Sequence, residues 1–576
     1  MAYKWNLHTP TPEELHKSSE LAMLLGYSPV TCLLLVRRGI TSEEEVQKFF
    51  QPHLSDLHDP YQMPDMDKAV KRLNQALGDK EKILIYGDYD VDGTTAVSLV
   101  YKYLRPYSST LDYYIPDRDG EGSGISIKGI DYAATHGITL IIALDCGIKA
   151  VDKIEYAQEK GIDIIICDHH KPDDVLPDAV AVLNPKRADS SYPYEHLSGC
   201  GVGYKFMEAF STSNDIPLAP LEKLLDLAAV SIAADIVPIT GENRVLAYYG
   251  LKQLNSFPSL GLKGIIDICG LGGKEITIND IVFKIGPRIN ASGRMMNGGE
   301  AVDLLLVRDS ESAREKSENI NKYNDERREL DKKITDEANA IIDRFTNMED
   351  RKAIVVYDPS WHSGVIGIVA SRLTEKYCMP AVVLTKSTQT SMITGSARSI
   401  NVFDVYKTIE SCSDTLENFG GHTCAVGLTL KEENLDLFID RFMELTDKLI
   451  EPEQMSPQIE IDAEIELKDI TATLVGELKK MSPFGPDNSK PIFCSRNVKD
   501  FGTSKLVGKE LEHVRLELID ESCKSPIHAI AFGMHQYSEY IMAQLPFDIC
   551  YSIEENAYIG NTNIQLLIKD IRIPEQ

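Results

Sequence analysis

Short apolar runs alternate with helical patterns from about residue 80 of the chain. Apolar strands that alternate with helices are typical of a parallel sheet covered on both faces, so this region predicts βαβ units. The runs are KILIY (82–86), LDYYI (111–115), TLIIALD (139–145), IDIIICD (162–168) and AVAVLN (179–184).

The regions before and after this pattern differ from it in how their apolar, polar and charged residues are distributed. Residues 1 to 75 predict helices, in which TPEELHKSSELAMLLG and TSEEEVQKFF each begin with a Thr suited to capping. Residues 308 to 348 predict one long, solvated helix, because the stretch from 309 to 345 is densely charged and has no Gly or Pro. At 1.5 Å per residue, such a helix spans on the order of 50 Å.

The remaining sequence predicts two more domains. KAIVVYD and PAVVLT are the strand patterns of a second α/β region, and the linker EPEQMSP ends it. Beyond the linker, alternating apolar and polar residues predict a small antiparallel β domain, compatible with a barrel. The predicted fold class is therefore α/β, with two α/β domains joined by a long helix and followed by an all-β domain. The predicted boundaries are 1–75, 76–307, 308–348, 349–450 and 456–576.

Composition and charge narrow the possible functions. The eleven cysteines are never spaced as C-x-x-C, which argues against a disulfide framework or a thiolate zinc site. No apolar run is long enough for a membrane span and no signal-peptide pattern is visible, so we expect a cytoplasmic protein without a membrane partner. A formal net charge of −28 excludes a uniformly basic surface, but not a local cationic groove or bound metal ions.

Acidic residues and histidines follow several of the apolar runs. In a doubly wound sheet, ligands bind beyond the carboxyl ends of the strands, so these side chains are expected at one edge. Crowded carboxylates repel one another, and oxygen ligands with imidazole and no thiolate suit Mn²⁺ or Mg²⁺. Two such ions would clamp a phosphoryl group and activate water. The residues are Asp88, Asp90, Asp92, Asp145, Asp168, His169, His170 and Asp235, the last after the apolar stretch LLDLAAVSIAA.

Simpler interpretations exist for each residue. A single Asp after a strand is more often a helix cap or a turn residue, and a single His is more often structural. The stretch DYDVDG also matches the start of a calcium-binding EF-hand loop. That interpretation fails because the twelfth position is Leu99 and the preceding residues have a strand pattern.

Motifs spread along nearly the whole chain resemble the DHH phosphoesterase superfamily and, within it, the RecJ family of 5′→3′ exonucleases specific for single-stranded DNA. The resemblance implies a DHH catalytic domain at 76–307, a DHHA1 substrate-binding domain at 349–450 and an OB-fold domain at 456–576. The motifs, in family order, are DYDVDGTTA, LDCGI, CDHHKP, AADIVP with ENR, GPRINASGR, WHSGVIGIVASRL, GSARSI, FGGHTCAVG and SPFGPDNSKPIF.

The resemblance also implies roles for the acidic residues and histidines. Asp145 would bridge the two metal ions. Asp88 would either bind a metal ion or support the residues that do. His170 would hydrogen-bond the scissile phosphate, and Asp168 would orient the neighbouring imidazole. The implied metal ligands are Asp90, Asp92, Asp145, His169 and Asp235.

Arginines and small residues form a second group of candidates, for substrate binding. Guanidinium groups suit phosphate oxygens, and glycines let a backbone approach them closely. GPRINASGR is interpreted as a loop that offers Arg288, Asn290 and Arg294. Structural loops and tight turns are the simpler interpretations of these candidates. The candidates are Arg118, Arg288, Asn290, Arg294, Ser396, Arg398, Gly420, Gly421 and His422. Two departures from the family pattern are SIAAD in place of a Gly-Thr before Ala-Asp, and Ser123 where an aromatic residue is usual.

The leading hypothesis is a metal-dependent 5′→3′ exonuclease that acts on single-stranded DNA in recombination and repair. A groove too narrow for a duplex would select single strands, and the β domain would extend the grip. The alternatives are a phosphoesterase for short oligonucleotides, cyclic dinucleotides or nucleoside bisphosphates, and a non-catalytic replication scaffold. The resemblance implies that the protein works with single-strand-binding protein and a RecQ-type helicase. We expect a monomer.

Overall fold

The computed structural model describes residues 3–345, 348–387, 390–400, 403–523, 525–558 and 561–574. The chain forms two compact units, of which one is Leu57–Met455 and the other combines the residues up to Asp56 with those from Ser456 onward. The predicted boundary at residue 75 therefore does not coincide with the boundary of a unit.

The first sheet of the larger unit is entirely parallel, as predicted. Its inner strands are buried along their whole length, which explains their continuous apolar sequences. In spatial order the strands are Leu111–Tyr114, Ile83–Gly87, Leu140–Leu144, Asp163–Cys167 and Ala181–Leu183.

Helices cover this sheet and continue beyond it. They are Met66–Gly78, Val91–Leu104, Ile127–Thr135, Val151–Glu159, Gly199–Ser213, Ala219–Glu222, Leu225–Ala234, Gly241–Ser256, Leu260–Ile268, Ile278–Asp280, Gly286–Met295 and Gly299–Leu305, with a π-helical turn at Ile281–Ile285. Two predictions are wrong here. The GPRINASGR segment is a helix rather than a loop, since Pro287 lies in the first turn, where a missing N–H is tolerated. The apolar stretch before Asp235 is also a helix, Leu225–Ala234, and Asp235 caps its C-terminal end.

The predicted long helix runs from Ser310 to Ile342, a length of 33 residues. The Asp309 side chain caps it by accepting a hydrogen bond from the Ser312 N–H at 2.8 Å. Part of its surface is buried rather than solvated, because Ile334, Ala338 and Ile342 recur every four residues on one face. No helix among the described residues is both long and apolar enough to cross a bilayer.

The second sheet of the larger unit is mixed. The helices Ser363–Tyr377, Val405–Glu410 and Leu435–Leu449 accompany it. In spatial order its strands are Asn418–His422, Ala425–Leu430, Ile393–Arg398, Ala381–Lys386 and Ile354–Tyr357.

The smaller unit contains a five-stranded barrel. Its ring closes because Phe493–Asp500 pairs with both Phe547–Tyr558 and His513–Ile519. One pair in the ring is parallel, so the predicted antiparallel domain is in fact mixed. The ring consists of Phe493–Asp500, Phe547–Tyr558, Asn561–Arg572, Ile527–Ala531 and His513–Ile519, with Ala463–Glu464 and Lys505–Val507 at its sides.

The N-terminal residues belong to the smaller unit. The strand Lys4–Leu7 pairs in parallel with Gln458–Ile461. Thr11 caps the first helix as predicted, whereas Ser42 rather than Thr41 caps the third. The helices of this unit are Pro12–Leu25, Pro29–Arg37, Glu43–Phe50, Ala472–Lys480 and Ser538–Met542.

Candidate metal centre

The strands of the parallel sheet end in register. Their last residues are paired in series across the sheet, in the order Gly87, Leu144, Cys167 and Leu183. The residues that follow them therefore leave the sheet along one edge, and these are Asp88, Asp145, Asp168 and Asn184.

The helix after the first of these strands brings two more carboxylates to the edge. Asp90 caps the helix by accepting a hydrogen bond from the Gly93 N–H at 2.9 Å. The buried Asp92 carboxylate accepts hydrogen bonds from the N–H groups of Gly199 at 2.7 Å and Cys200 at 2.8 Å. It also accepts one from the Ser231 hydroxyl at 2.7 Å, so three donors fix its orientation.

His169 lies at the centre of the acidic cluster. Its Nε2 atom is 3.2 Å from Asp145 Oδ1, 3.5 Å from Asp235 Oδ2 and 3.8 Å from Asp92 Oδ2. The possible ligand atoms of Asp92, His169 and Asp235 lie within 4.8 Å of one another, as do those of Asp145, His169 and His170. This spacing brings oxygen and nitrogen ligands to a single point, as a metal ion requires.

Unpaired polar atoms indicate that the cluster fits a cation. Asp145 Oδ1 and His169 Nε2 are buried, and neither has a hydrogen-bond partner within the described part of the chain. Burial, followed by the nearby His170, lowers the pKa of His169 to about 3, so its imidazole is neutral and able to bind a metal. Two buried ligand atoms that lie 3.2 Å apart, neither with a hydrogen-bond partner among the described residues, are costly unless a cation lies between them.

Several carboxylates of the cluster are buried close to one another, and this raises their pKa values. Burial and the neighbouring Asp90 raise the pKa of Asp92 to about 6 and that of Asp88 to about 7. Burial and the neighbouring Asp92 raise the pKa values of Asp145 and Asp235 well above the ordinary range. Divalent cations would relieve this repulsion.

Asp168 and His170 form a coupled pair beside the cluster. Asp168 Oδ1 accepts hydrogen bonds from His170 Nδ1 at 2.8 Å and from the His169 N–H at 2.7 Å. Burial alone would lower the pKa of His170, but the hydrogen bond to Asp168 outweighs it and raises that pKa to about 9. The ring of His170 is nearly parallel to that of His422, and their centroids are 6.2 Å apart. A cationic, partly exposed imidazole therefore lies beside the cluster, 4.0 Å from Asp145 Oδ1.

Four arginines form a second cluster in the same unit. Burial, followed by the charges of Arg118, Arg327 and Arg398, lowers the pKa of Arg294 to about 9. The Arg118 guanidinium lies 5.3 Å from the centre of the Tyr89 ring. Within the described residues none of the four forms a salt bridge, although Asp331 lies near Arg327. Guanidinium groups that approach one another in this way suit an anionic ligand.

Comparisons with known proteins agree with this geometry. Family models match residues 82–232 (DHH family, N-terminal domain), 350–448 (DHHA1 domain) and 461–570 (RecJ OB domain). The single-stranded-DNA-specific exonuclease RecJ of Bacillus subtilis is 35% identical over 572 residues, which are 99% of this chain and 71% of that protein. The chain belongs to the RecJ family.

Other RecJ proteins agree in sequence and fold. The RecJ of Haemophilus influenzae is 30% identical, over 94% of this chain and 95% of that protein. The crystal structure of Thermus thermophilus RecJ in complex with Mn²⁺ has a TM-score of 0.85 at 23% identity, covering 100% of this chain and 80% of that one. A structure described as exonuclease RecJ bound to manganese has a TM-score of 0.59 at 28% identity, covering 70% and 98% respectively. The predicted fold class is confirmed.

The RecJ-type substrate candidates do not all lie together. Arg288 donates hydrogen bonds to Asn321 Oδ1 at 2.9 Å and to the Lys284 carbonyl at 2.8 Å, so it fastens its helix to the long helix. Asn290 is half-buried on the helix Gly286–Met295. Arg398 donates to Ser396 Oγ at 2.8 Å, which keeps these two candidates together.

The hairpin candidates and Ser123 occupy distinct positions. Gly420, Gly421 and His422 are exposed on the strand Asn418–His422. Gly421 has a φ of 149°, and a Cβ there would lie 2.2 Å from the Ala425 carbonyl oxygen, so only glycine fits. Ser123 is exposed beside the glycines of the EGSG segment.

Two contributors to the site were missed in the sequence. Arg327 belongs to the arginine cluster, but no spacing distinguishes it among the charges of the long helix. Gly199 supplies an N–H to Asp92, and the stretch SGCGVG before a helix was the available signal.

The metal-free protein should lose stability as the pH rises. The raised pKa values mean that the folded state holds protons which the unfolded state releases, so the stabilisation is present below pH 3.8 and is lost as the pH passes about 6 to 7. We expect the Tm in EDTA to fall between pH 4.5 and 7.5, and Mn²⁺ to raise it at pH 7.5 by at least about 2 °C. Differential scanning fluorimetry measures the pH dependence of the Tm and its change with Mn²⁺. A Tm at pH 7.5 that does not change when Mn²⁺ is added would contradict the metal centre.

Proposed function

We propose that this chain is a 5′→3′ exonuclease that hydrolyses phosphodiester bonds in single-stranded DNA with two divalent ions, Mn²⁺ or Mg²⁺. The products would be 5′-mononucleotides, and the setting DNA recombination and repair. The observation that carries the proposal is the group of unpaired, buried ligand atoms of Asp145 and His169, in a chain of the RecJ family.

The donor set fits divalent ions that prefer oxygen. The proposed ligands are Asp90, Asp92, Asp145, His169 and Asp235, with Asp88 as a further ligand or a supporting acid. Carboxylates with one imidazole and no thiolate favour Mn²⁺ or Mg²⁺ over structural zinc. When bound, the ions would supply Lewis-acid activation of the phosphate and of the attacking water.

The proposed catalytic residues are Asp145, Asp168 and His170, and the last two work as a pair. Asp168 holds the Nδ1–H of His170 at 2.8 Å and keeps the ring protonated at neutral pH. The other ring N–H is then available to a non-bridging oxygen of the scissile phosphate, where negative charge increases in the transition state. The orientation is fixed before the substrate arrives, because Asp168 is buried.

The arginine cluster is the proposed site of the 5′-terminal phosphate. Arg118, Arg294 and Arg398 offer charge, Ser396 offers a hydroxyl, and the hairpin with His422 lies near His170. A terminal phosphate carries more negative charge than an internal one, so this cluster would select the end of the strand. Arg288 and Asn290 would act less directly, through the helix that also carries Arg294.

The rest of the molecule has proposed roles as well. The barrel within 456–576 would hold the strand beyond the catalytic domain by base stacking and a cationic track. The proposed division into 1–75, 76–307, 308–348, 349–450 and 456–576 keeps catalysis and strand binding on separate parts. A monomer in the cytoplasm, working with single-strand-binding protein and a RecQ-type helicase, completes the proposal.

The decisive experiment uses single strands labelled at either end. We expect labelled mononucleotide to appear at once from a 5′ label in Mn²⁺, only late from a 3′ label, and hardly at all from a blunt duplex. Faster cleavage of a dinucleotide than of a long strand would favour the phosphoesterase alternative. A small substrate would not need the additional domain that matches the RecJ OB domain at 461–570. Binding without cleavage would favour the scaffold.

Arg398→Ala should weaken the use of the 5′-phosphate. We expect kcat/KM on a 5′-phosphorylated strand to fall by about 10- to 100-fold, because a charged hydrogen bond of about 1.5–3 kcal/mol is lost. On a 5′-hydroxyl strand the loss should be smaller. Lys386→Ala is the control, since Lys386 lies on the adjacent strand and pairs with Glu432 at 3.2 Å. Equal losses on both substrates would exclude Arg398 from the phosphate site.

A further inference from the structure

The short segment after the last strand of the parallel sheet is tied to the His170 backbone. The buried Asn184 donates from Nδ2 to the His170 carbonyl at 2.9 Å, and its Oδ1 accepts from the Lys186 N–H at 2.8 Å. The carbonyl of Leu183 accepts from the Asp168 N–H at 3.0 Å. Lys186 is thus held beside the Asp168–His170 pair by consecutive hydrogen bonds.

The next residue fixes the same segment from its other side. The Arg187 guanidinium donates to Asp65 Oδ2 at 2.6 Å and to the Val182 carbonyl at 2.7 Å. It also pairs with Asp189 at 2.7 Å. With anchors on both sides, the backbone that carries Lys186 is rigid.

The ammonium group of Lys186 lacks a partner of its own. It is half-buried, and within the described residues it has neither an ion pair nor a hydrogen bond from Nζ. Lys205, in the same unit, shows the usual arrangement, since its buried ammonium pairs with both Glu208 and Glu242. A cation that is half-buried without a partner is costly, and a ligand that supplies an anion would offset this cost.

The surroundings of Lys186 indicate where that anion would lie. The acidic groups facing it are Asp235, Glu195 and Asp168, and burial lowers its pKa despite them. Its charge also acts on His169 and on His422, the two imidazoles on either side of His170. Lys186 and His170 therefore both bring positive charge close to the acidic cluster.

We propose that Lys186 donates a hydrogen bond to a non-bridging oxygen of the phosphodiester undergoing hydrolysis and stabilises its developing negative charge. This role rests on the proposed function of the site. An ammonium group suits the task as a compact point charge with three donors. Bound metal ions would neutralise the carboxylates, which leaves the ammonium free to face the phosphate.

The test compares Lys186→Ala, Lys186→Gln and Lys186→Arg on a 5′-phosphorylated single strand. For the first two we expect kcat to fall by about 100-fold, with KM and the Mn²⁺ affinity from titration calorimetry little changed. The Arg variant should keep more activity, and added methylammonium should partly restore Lys186→Ala. Lys316→Ala is the matched control, because Lys316 is also half-buried but its ammonium pairs with Asp303 at 3.1 Å.

Other outcomes would overturn the role. A kcat within twofold of the unmodified protein would exclude it, and an equal loss of Mn²⁺ affinity would show that Lys186 only balances the Asp235 charge. An equal loss in Lys316→Ala would indicate a general effect of removing a lysine charge. If the unmodified protein does not degrade DNA, the proposed function fails, and the same variants assayed on a thymidine 5′-monophosphate p-nitrophenyl ester test Lys186 separately.

Discussion

Asp145→Asn should abolish exonuclease activity, with an expected loss of about 1000-fold or more in kcat. Within the described residues Asp145 Oδ1 is buried without a hydrogen-bond partner and lies 3.2 Å from His169 Nε2, so a bound cation would contact its carboxylate directly. Asn is the sharper substitution because Asp145 has a φ of 59°, a conformation that Asn tolerates better than Ala. Release of a 5′ label from single-stranded DNA in Mn²⁺ measures the loss.

The same substitution should stabilise the metal-free protein. Burial and the neighbouring Asp92 raise the pKa of Asp145 well above its ordinary value, so removing the charge removes repulsion. We expect a higher Tm in EDTA at pH 7.5 and a smaller rise on adding Mn²⁺. Asp174→Asn, which changes an exposed acid, should alter neither. Activity retained by Asp145→Asn would disprove the proposed metal centre, whatever its effect on Tm.

The convergence of the acidic residues could be predicted from the sequence because it depends on a simple geometric rule. Continuous apolar strands joined by helices run parallel, and parallel strands place their carboxyl ends at one edge. The strands obey this rule, since their last residues Gly87, Leu144 and Cys167 are paired with one another across the sheet. The positions of Asp88, Asp145 and Asp168 can therefore be predicted from local sequence patterns, without information on long-range contacts.

Asp235 shows where that rule stops. The apolar stretch before it suits a buried helix as well as a buried strand, since periodicity does not separate the two in short apolar runs. In the folded protein this stretch forms the helix Leu225–Ala234. Asp235 follows the helix, and its Oδ2 atom nevertheless lies 3.5 Å from His169 Nε2. The sequence therefore predicted that Asp235 lies near His169, but it assigned the preceding stretch to the wrong kind of element.

The arginine cluster depended on long-range packing that no local pattern reveals. Arg294 comes from the helix Gly286–Met295, Arg398 from a strand of the second sheet, and Arg327 from the middle of the long helix. The glycines and prolines of GPRINASGR suggested a loop because their usual role is to interrupt helices. Gly293 in fact permits a close approach, since a Cβ there would lie 2.7 Å from the Tyr89 carbonyl oxygen.

Gly199→Ala should reduce activity by about 100-fold although it adds a single methyl group. A Cβ at Gly199 would lie 2.5 Å from Asp145 Cβ and 2.7 Å from Asp145 Oδ1. Non-bonded atoms do not approach so closely, so the helix start or Asp145 would have to move. The same residue donates its N–H to Asp92 at 2.7 Å, so any shift of this helix start displaces two proposed ligands together. Both kcat in Mn²⁺ and the Mn²⁺ affinity from titration calorimetry should fall.

Gly201→Ala provides the matched control within the same helical turn. The nearest atoms to a Cβ there would belong to Leu197 and Ser198, at 3.4 to 3.5 Å, which is ordinary contact. Alanine also favours a helix over glycine by about 1 kcal/mol, so Gly201→Ala should keep its activity and its Tm. Equal activity in the two variants would show that the start of this helix does not set the positions of Asp92 and Asp145. A loss confined to Gly199→Ala, with the fold intact by circular dichroism, would place the cause at the contact with Asp145.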